Sequence, residues 1–139
     1  MKFLDSNIFL RYLVAPPTVE DRRKQEACQA LFLAVARGEE QITASESILH
    51  EVLYVLCSPR QYKLTHQDAV GRLRPVLSLR GFHLPQKRLL MNAVELFSVH
   101  SFLDFADTVA IVHSQETGDD LLSYDTGFDA VPGAERHEP

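Results

Sequence analysis

Apolar positions along the chain alternate between short runs closed by turn residues and longer stretches in which they recur every three or four residues. The first spacing is that of buried strands, the second that of amphipathic helices. Lys2-Phe3-Leu4 predicts a strand, and Asp5-Ser6-Asn7 offers N-cap chemistry for a helix carrying Ile8, Phe9, Tyr12 and Leu13 that Pro16-Pro17 ends. Ala27, Ala30, Leu31, Ala34 and Val35 keep helical spacing from about Val19 until Gly38, with Arg22, Arg23 and Lys24 on the first turns. Gln41-Ile42-Thr43 predicts a second strand. The helix after it starts at Ser45 or Ser47, carries Ile48, Leu49, Val52, Leu53, Val55 and Leu56, and stops before Ser58-Pro59.

Thr65 with Asp68 resembles a capping box that opens a helix through Ala69, Val70 and Leu73, which Pro75 should kink or end. Gly81-Phe82-His83-Leu84 predicts a third strand, and a helix with Leu89, Leu90, Ala93, Val94, Leu96 and Phe97 follows Pro85. A further helix spans about Phe105 to Glu116 with Val109, Ala110 and Val112 inward and Gly118 as its stop. Leu121-Leu122-Ser123-Tyr124 makes a fourth strand, and Ala134-Glu135-Arg136-His137 a marginal fifth. Strands that alternate with helices imply an α/β fold, a short parallel sheet of four to five strands covered on both faces in a three-layer α/β/α sandwich. With 139 residues and no internal repeat or linker, a single domain over residues 1–139 is expected.

Composition narrows the function classes only slightly. A net charge of −5 argues against a protein that coats nucleic acid through a basic surface, while leaving room for a local basic rim. Cys28 and Cys57 lack metal-ligand spacing, as do the six histidines, so zinc has little support. His50 and His113 read as boundary residues beside apolar helix positions. The apolar stretch from Phe3 to Val14 is interrupted by Asp5 and Arg11 and is too short for a membrane span, so a soluble cytoplasmic protein is expected.

The candidate chemistry is acidic. Asp5 follows the first strand, Glu51 lies inside the helix after the second, Asp104 and Asp107 stand one turn apart near a helix start, and Asp125 follows the fourth strand. Ligands in open parallel sheets bind beyond the carboxyl ends of the strands, where the strand order reverses. A 3-2-1-4-5 order would put Asp5 and Asp125 on either side of that crevice, with Asp104 and Asp107 at its edge and Glu51 reaching in. Carboxylates gathered so closely repel one another unless a cation joins them, and oxygen donors suit magnesium or manganese. Each acid also has a plain reading: Asp5 as an N-cap, Asp104 and Asp107 as dipole partners, Asp125 as a turn residue, and Glu51, the hardest to dismiss, as an exposed or paired carboxylate on an apolar helix.

These residues resemble the motifs of the PIN-domain nucleases, and more closely those of VapC-like toxins from type II toxin–antitoxin systems. Phe3-Leu4-Asp5-Ser6-Asn7 is similar to the opening motif, Ser47-Ile48-Leu49-His50-Glu51-Val52 to the second, Asp104-Phe105-Ala106-Asp107-Thr108-Val109-Ala110 to the third and Ser123-Tyr124-Asp125-Thr126-Gly127-Phe128 to the fourth. The resemblance implies an endoribonuclease that hydrolyses RNA with Mg²⁺ or Mn²⁺, held by Asp5, Glu51, Asp107 and Asp125. Asp104 would be an auxiliary acid, and Ser6, Asn7 and Ser123 would orient carboxylates and water. It also implies a cognate antitoxin protein and a homodimer. Thr108 replaces the small residue often seen after the third acid, which should tighten packing there. Two other classes stay open: a catalytically inactive PIN-like interaction module, and another magnesium-dependent phosphoryl-transfer enzyme. Against the latter, Asp5 is followed by Ser6-Asn7 instead of a second acid.

Overall fold

Strands in this protein are minimal, and helices carry most of the architecture. The computed structural model describes residues 1–14 and 18–139, so the Pro16-Pro17 stop lies outside the described residues. The order is β1 (Lys2–Phe3), α1 (Ser6–Leu13), α2 (Val19–Ala36), β2 (Ile42–Thr43), α3 (Glu46–Cys57), α4 (His66–Leu77), β3 (Phe82–His83), α5 (Lys87–Val99), α6 (Phe105–Thr117), β4 (Leu121–Leu122), a 3₁₀ turn (Thr126–Ala130) and β5 (Arg136–His137). All pairing is parallel: β1 with β2, β2 with β3, and β4 with β5. The α/β class is therefore as expected, and the marginal fifth strand forms. The segments 3-2-1 and 4-5 of the expected order are present, but as two ladders, with no hydrogen-bonded join between β1 and β4 among the described residues.

Aromatic side chains tie the first helices to the sheet. Phe9 of α1 meets Phe32 of α2 at 5.8 Å and Phe82 of β3 at 5.9 Å between ring centroids, and Tyr12 meets Phe32 at 4.5 Å. Such tilted pairs add stability beyond the area they bury, about 0.5–1.5 kcal/mol each. Ile42, Leu49, Leu53, Leu56, Leu73 and Leu90 extend this core across α3, α4 and α5. A second, smaller cluster of Leu103, Ile111, Phe128 and Val131 lies under the C-terminal part and fixes the 3₁₀ turn that follows Asp125.

One glycine is demanded by close backbone approach. A Cβ on Gly81 would come within 2.2 Å of the Glu40 carbonyl and 2.9 Å of the Val35 carbonyl. That proximity lets the Gly81 N–H donate to Val35 at 3.0 Å while the Gly81 carbonyl accepts from the Ile42 N–H at 2.8 Å, which stitches the end of α2 to the β2–β3 ladder.

Three sequence expectations need correction. The inward face of α2 is Cys28, Phe32 and Val35, with Ala27 and Ala30 exposed, because small alanines surround the helix and the bulky Phe32 decides which side is buried. Pro75 does not end α4, which continues to Leu77. The carbonyl deprived of a donor belongs to Gly71, which is exposed and so open to solvent, and burial of Val76 and Leu77 at 1% exposure each holds the last turn. On α6 the buried positions are Phe105, Thr108, Ile111 and Val112, whereas Val109 and Ala110 are only half-buried.

Candidate active site

Asp5 occupies the N-cap position of α1 without capping it, since its side chain takes no hydrogen bond from the helix backbone. Its Oδ2 accepts instead from the Asn7 amide at 2.9 Å. The carboxylate is exposed at the end of β1 and oriented by Asn7, so the plain N-cap reading fails. Ser6, beside it, is buried at 6% exposure.

Asp104 and Asp107 are joined at the start of α6 by a reciprocal capping box. The Asp107 N–H donates to Asp104 Oδ1 at 2.8 Å, and the Asp104 N–H donates to Asp107 Oδ2 at 3.1 Å. Asp104 is thus the N-cap of α6, one residue before the first-turn dipole position expected for it, and it caps the helix as Asp often does. Asp107 is different. Burial raises its carboxyl above the ordinary value; the Asp104 N–H pulls it back, and the negative charges of Asp104 and Asp125 push it up again. Thr108, fully buried, donates its hydroxyl to the Phe105 carbonyl at 2.8 Å and so fits its tight position without a stranded polar atom.

Asp125 is held by a turn built from its own motif. Its N–H donates to the Ser123 hydroxyl at 2.9 Å, and its Oδ1 accepts from the Gly127 N–H at 2.8 Å. Ser123 thus orients the acid through the backbone. Arg136, which the sequence did not single out, donates to the Ser123 carbonyl at 3.1 Å while pairing with Asp129 and Glu138. This arginine braces the loop that carries Asp125; a position on a marginal strand gave no signal for it.

Glu51 does not belong to the buried set of α3. Leu49, Val52, Leu53 and Leu56 face the core, and Glu51 projects from the exposed side. The structure thus brings Asp107 under the charge of Asp104 and Asp125, with Asp5 and Glu51 exposed on neighbouring elements. Among the described residues, no group of three or more His, Cys, Asp or Glu side chains is gathered closely enough to hold an ion. The donor chemistry nevertheless fits a hard divalent cation: Asp107 and Asp125 supply only oxygen, and magnesium commonly takes one or two carboxylates and keeps several waters.

Of the basic residues considered as phosphate guides, Arg11 is paired with Asp21 at 2.8 Å and Lys24 with Glu20 at 3.4 Å. Arg60 and Lys63 follow α3 in an exposed loop and enter no ion pair among the described residues. No helix among the described residues is long and apolar enough to cross a membrane.

Comparison with curated proteins gives no match. The family model for the PIN domain matches residues 2–134, a span that includes Asp5, Glu51, Asp104, Asp107 and Asp125. PIN domains are generally nuclease domains, hydrolases that act on RNA and usually use divalent metals. Matched over nearly its whole length, the chain belongs to the PIN domain family.

Proposed function

We propose that the chain is a metal-dependent endoribonuclease and the VapC-like toxin of a type II toxin–antitoxin pair. The observation that carries the reading is Asp107, partly buried at the start of α6 and set against the charges of Asp104 and Asp125. The neighbouring charges that act on Asp107 are negative, and a site that concentrates negative charge suits a cation brought from outside. Asp5, Glu51, Asp107 and Asp125 would hold Mg²⁺ or Mn²⁺, and the bound ion would supply an activated water and neutralise charge on the phosphoryl oxygens.

The chain's own residues prepare that site. Asn7 fixes one oxygen of Asp5, Gly127 fixes one oxygen of Asp125, and the capping box holds Asp107 in a single rotamer region. Each carboxylate keeps further acceptor capacity beyond these bonds. The N-terminus of α6 adds partial positive charge that favours the anionic form of Asp107 and an approaching phosphate. In this reading residues 1–139 act as one domain, in the cytoplasm, as a homodimer, with the antitoxin covering the acidic crevice.

Mapping of cellular RNA ends after induced expression tests the proposal, with Asp5→Asn as the control. New RNA ends and growth arrest are expected with the parent chain and neither with the variant, and co-expression of a cognate antitoxin should restore growth. Equal RNA ends with Asp5→Asn would sink the assignment.

A further inference from the structure

A groove of about 460 Å³ runs along the outer strand of the β1–β2–β3 ladder, walled by Thr43, Arg80, Phe82, His83, Pro85 and Lys87, with no acid among its lining residues. In a chain of net charge −5 this is a local inversion of sign. Arg80 and Lys87 enter no ion pair among the described residues. Glu40, whose backbone carbonyl abuts Gly81, has its carboxylate engaged by Lys2 at 2.7 Å. Resting on the nuclease reading, we propose that this groove holds the sugar-phosphate backbone of the RNA to one side of the bond cut at the acids, with Arg80 and Lys87 on its phosphates.

Lys87 is the least expected of these cations. It is half-buried, and its ammonium donates to the Phe82 carbonyl at 2.8 Å and lies 5.5 Å from the centroid of the Phe82 ring, without a carboxylate. Burial pushes its proton affinity below the ordinary lysine value. Together with Arg88 it opens α5, at the end where the helix dipole disfavours cations, and no acid stands in that first turn. A charge so placed without a counter-ion is costly to the free chain, and an anion in the groove supplies what is missing. The other groups are held in place. The Arg80 stem rests on Gly38, where a Cβ would come within 3.1 Å of its Cδ and Nε, and His83 Nε2 is hydrogen-bonded to the Gln41 side chain.

The sheet connects the groove to the acids. Parallel register aligns His83 with Thr43 and Thr43 with Phe3, so these three side chains share one face, opposite to the buried Ile42 and Phe82. Phe3, at 62% exposure, and His83 therefore face solvent. Two strand spacings, about 10 Å, separate β3 from β1, and Asp5 follows Phe3 by two residues. One RNA strand can thus lie in the groove, cross the exposed Phe3 ring and reach the acids. Unpaired cations beside an exposed aromatic ring are what single-stranded nucleic acid uses. An acidic peptide would gain from the cations and not from the ring, and a second copy of the chain related by a two-fold axis would set cations against cations.

The test measures binding of a labelled single-stranded RNA to the full-length Asp107→Asn protein, which should hold RNA without cutting it, as salt is raised. Arg80→Gln and Lys87→Gln should each flatten the slope of log affinity against log salt by about 0.7, the counter-ion release of one phosphate contact on a single strand. Arg80→Lys keeps a point charge and should retain the parent slope. Arg74→Gln removes the same charge from a surface pair with Glu95 and should leave the slope unchanged. Arg80 is exposed, so its substitutions leave the fold intact and carry the test even if Lys87→Gln is unstable. In the cleaving parent, Arg80→Gln should raise KM for a long RNA with kcat unchanged. A slope unchanged by Arg80→Gln, or flattened as much by Arg74→Gln, would overturn the proposal. Loss of oligoglutamate binding with an unchanged RNA slope would overturn it in favour of an acidic protein segment. Where the parent cuts RNA with Mg²⁺, these results refute the groove alone, whereas a parent chain that cuts no RNA with Mg²⁺ refutes the nuclease reading itself.

Discussion

Asp104 carries opposed effects that two substitutions separate. As N-cap it accepts the Asp107 N–H at 2.8 Å, a bond whose loss to alanine costs about 1 kcal/mol. Its charge lies one turn from that of Asp107, and side chains so spaced sit about 5–6 Å apart. Repulsion across that distance in a water-like dielectric is about 0.7 kcal/mol. The helix dipole returns about 0.3–1 kcal/mol to an acid in this position, so the two electrostatic effects nearly cancel. In metal-free buffer Asp104→Asn, which keeps the acceptor, should therefore stay within about 0.5 kcal/mol of the parent. Asp104→Ala should fall about 1 kcal/mol below Asp104→Asn, or about 3–5 °C in melting temperature for a chain of this size.

Urea and thermal denaturation at low and high salt measure these differences. Salt should move the parent little relative to the variants, because the two opposed electrostatic effects are screened together, and should leave the gap between the variants unchanged, because a hydrogen-bonded cap is not screened. Carboxyl NMR titration should show the proton affinity of Asp107 lowered in both variants. Equal stability of the asparagine and alanine variants would refute the cap, and an unchanged Asp107 titration would refute the charge coupling.

Three further outcomes are expected. Gly81→Ala should cost several kcal/mol by calorimetry, since its Cβ would press on two backbone carbonyls that cannot rotate away, and parent-like stability would disprove that packing. Gly127→Ala puts a Cβ 3.0 Å from Asp125 Oδ1, so RNA cleavage should drop on the order of tenfold with an almost unchanged melting temperature; a loss of stability with normal cleavage would contradict the positioning role. Asp107→Asn should be more stable than the parent in metal-free buffer at neutral pH. The native carboxyl of Asp107 is raised above 3.8, so its cost is present above the raised value and fades as pH falls through that value towards 3.8. A stability gain that stays constant across this range would show that repulsion and burial are not its source.

The spacing of apolar residues sufficed to place the helices and the short runs at β1, β2 and β3, because periodicity reports burial directly. It did less well where several faces of a helix are equally small, as on α2, where Phe32 and Cys28 turned the inward side away from Ala27 and Ala30. Pro75 misled because a helix rule applies to interiors, and its missing N–H falls in the final turn over an exposed carbonyl. The acids were legible as a set but not in their individual roles. Capping and metal binding use the same side chains, so local sequence cannot separate Asp104, which caps, from Asp5, which stands at a cap position and does not.

Cleavage of a single-stranded RNA by the purified chain, with and without Mg²⁺, beside the Asp107→Asn variant, tests the nuclease assignment most directly. The amide oxygen of asparagine can still close the capping box, so the variant should be folded and at least as stable as the parent. The account predicts cleavage by the parent only with the divalent ion, and a loss on the order of a hundredfold or more in Asp107→Asn. Parent-like cleavage by a folded Asp107→Asn, or cleavage by the parent that survives a chelator, would contradict it.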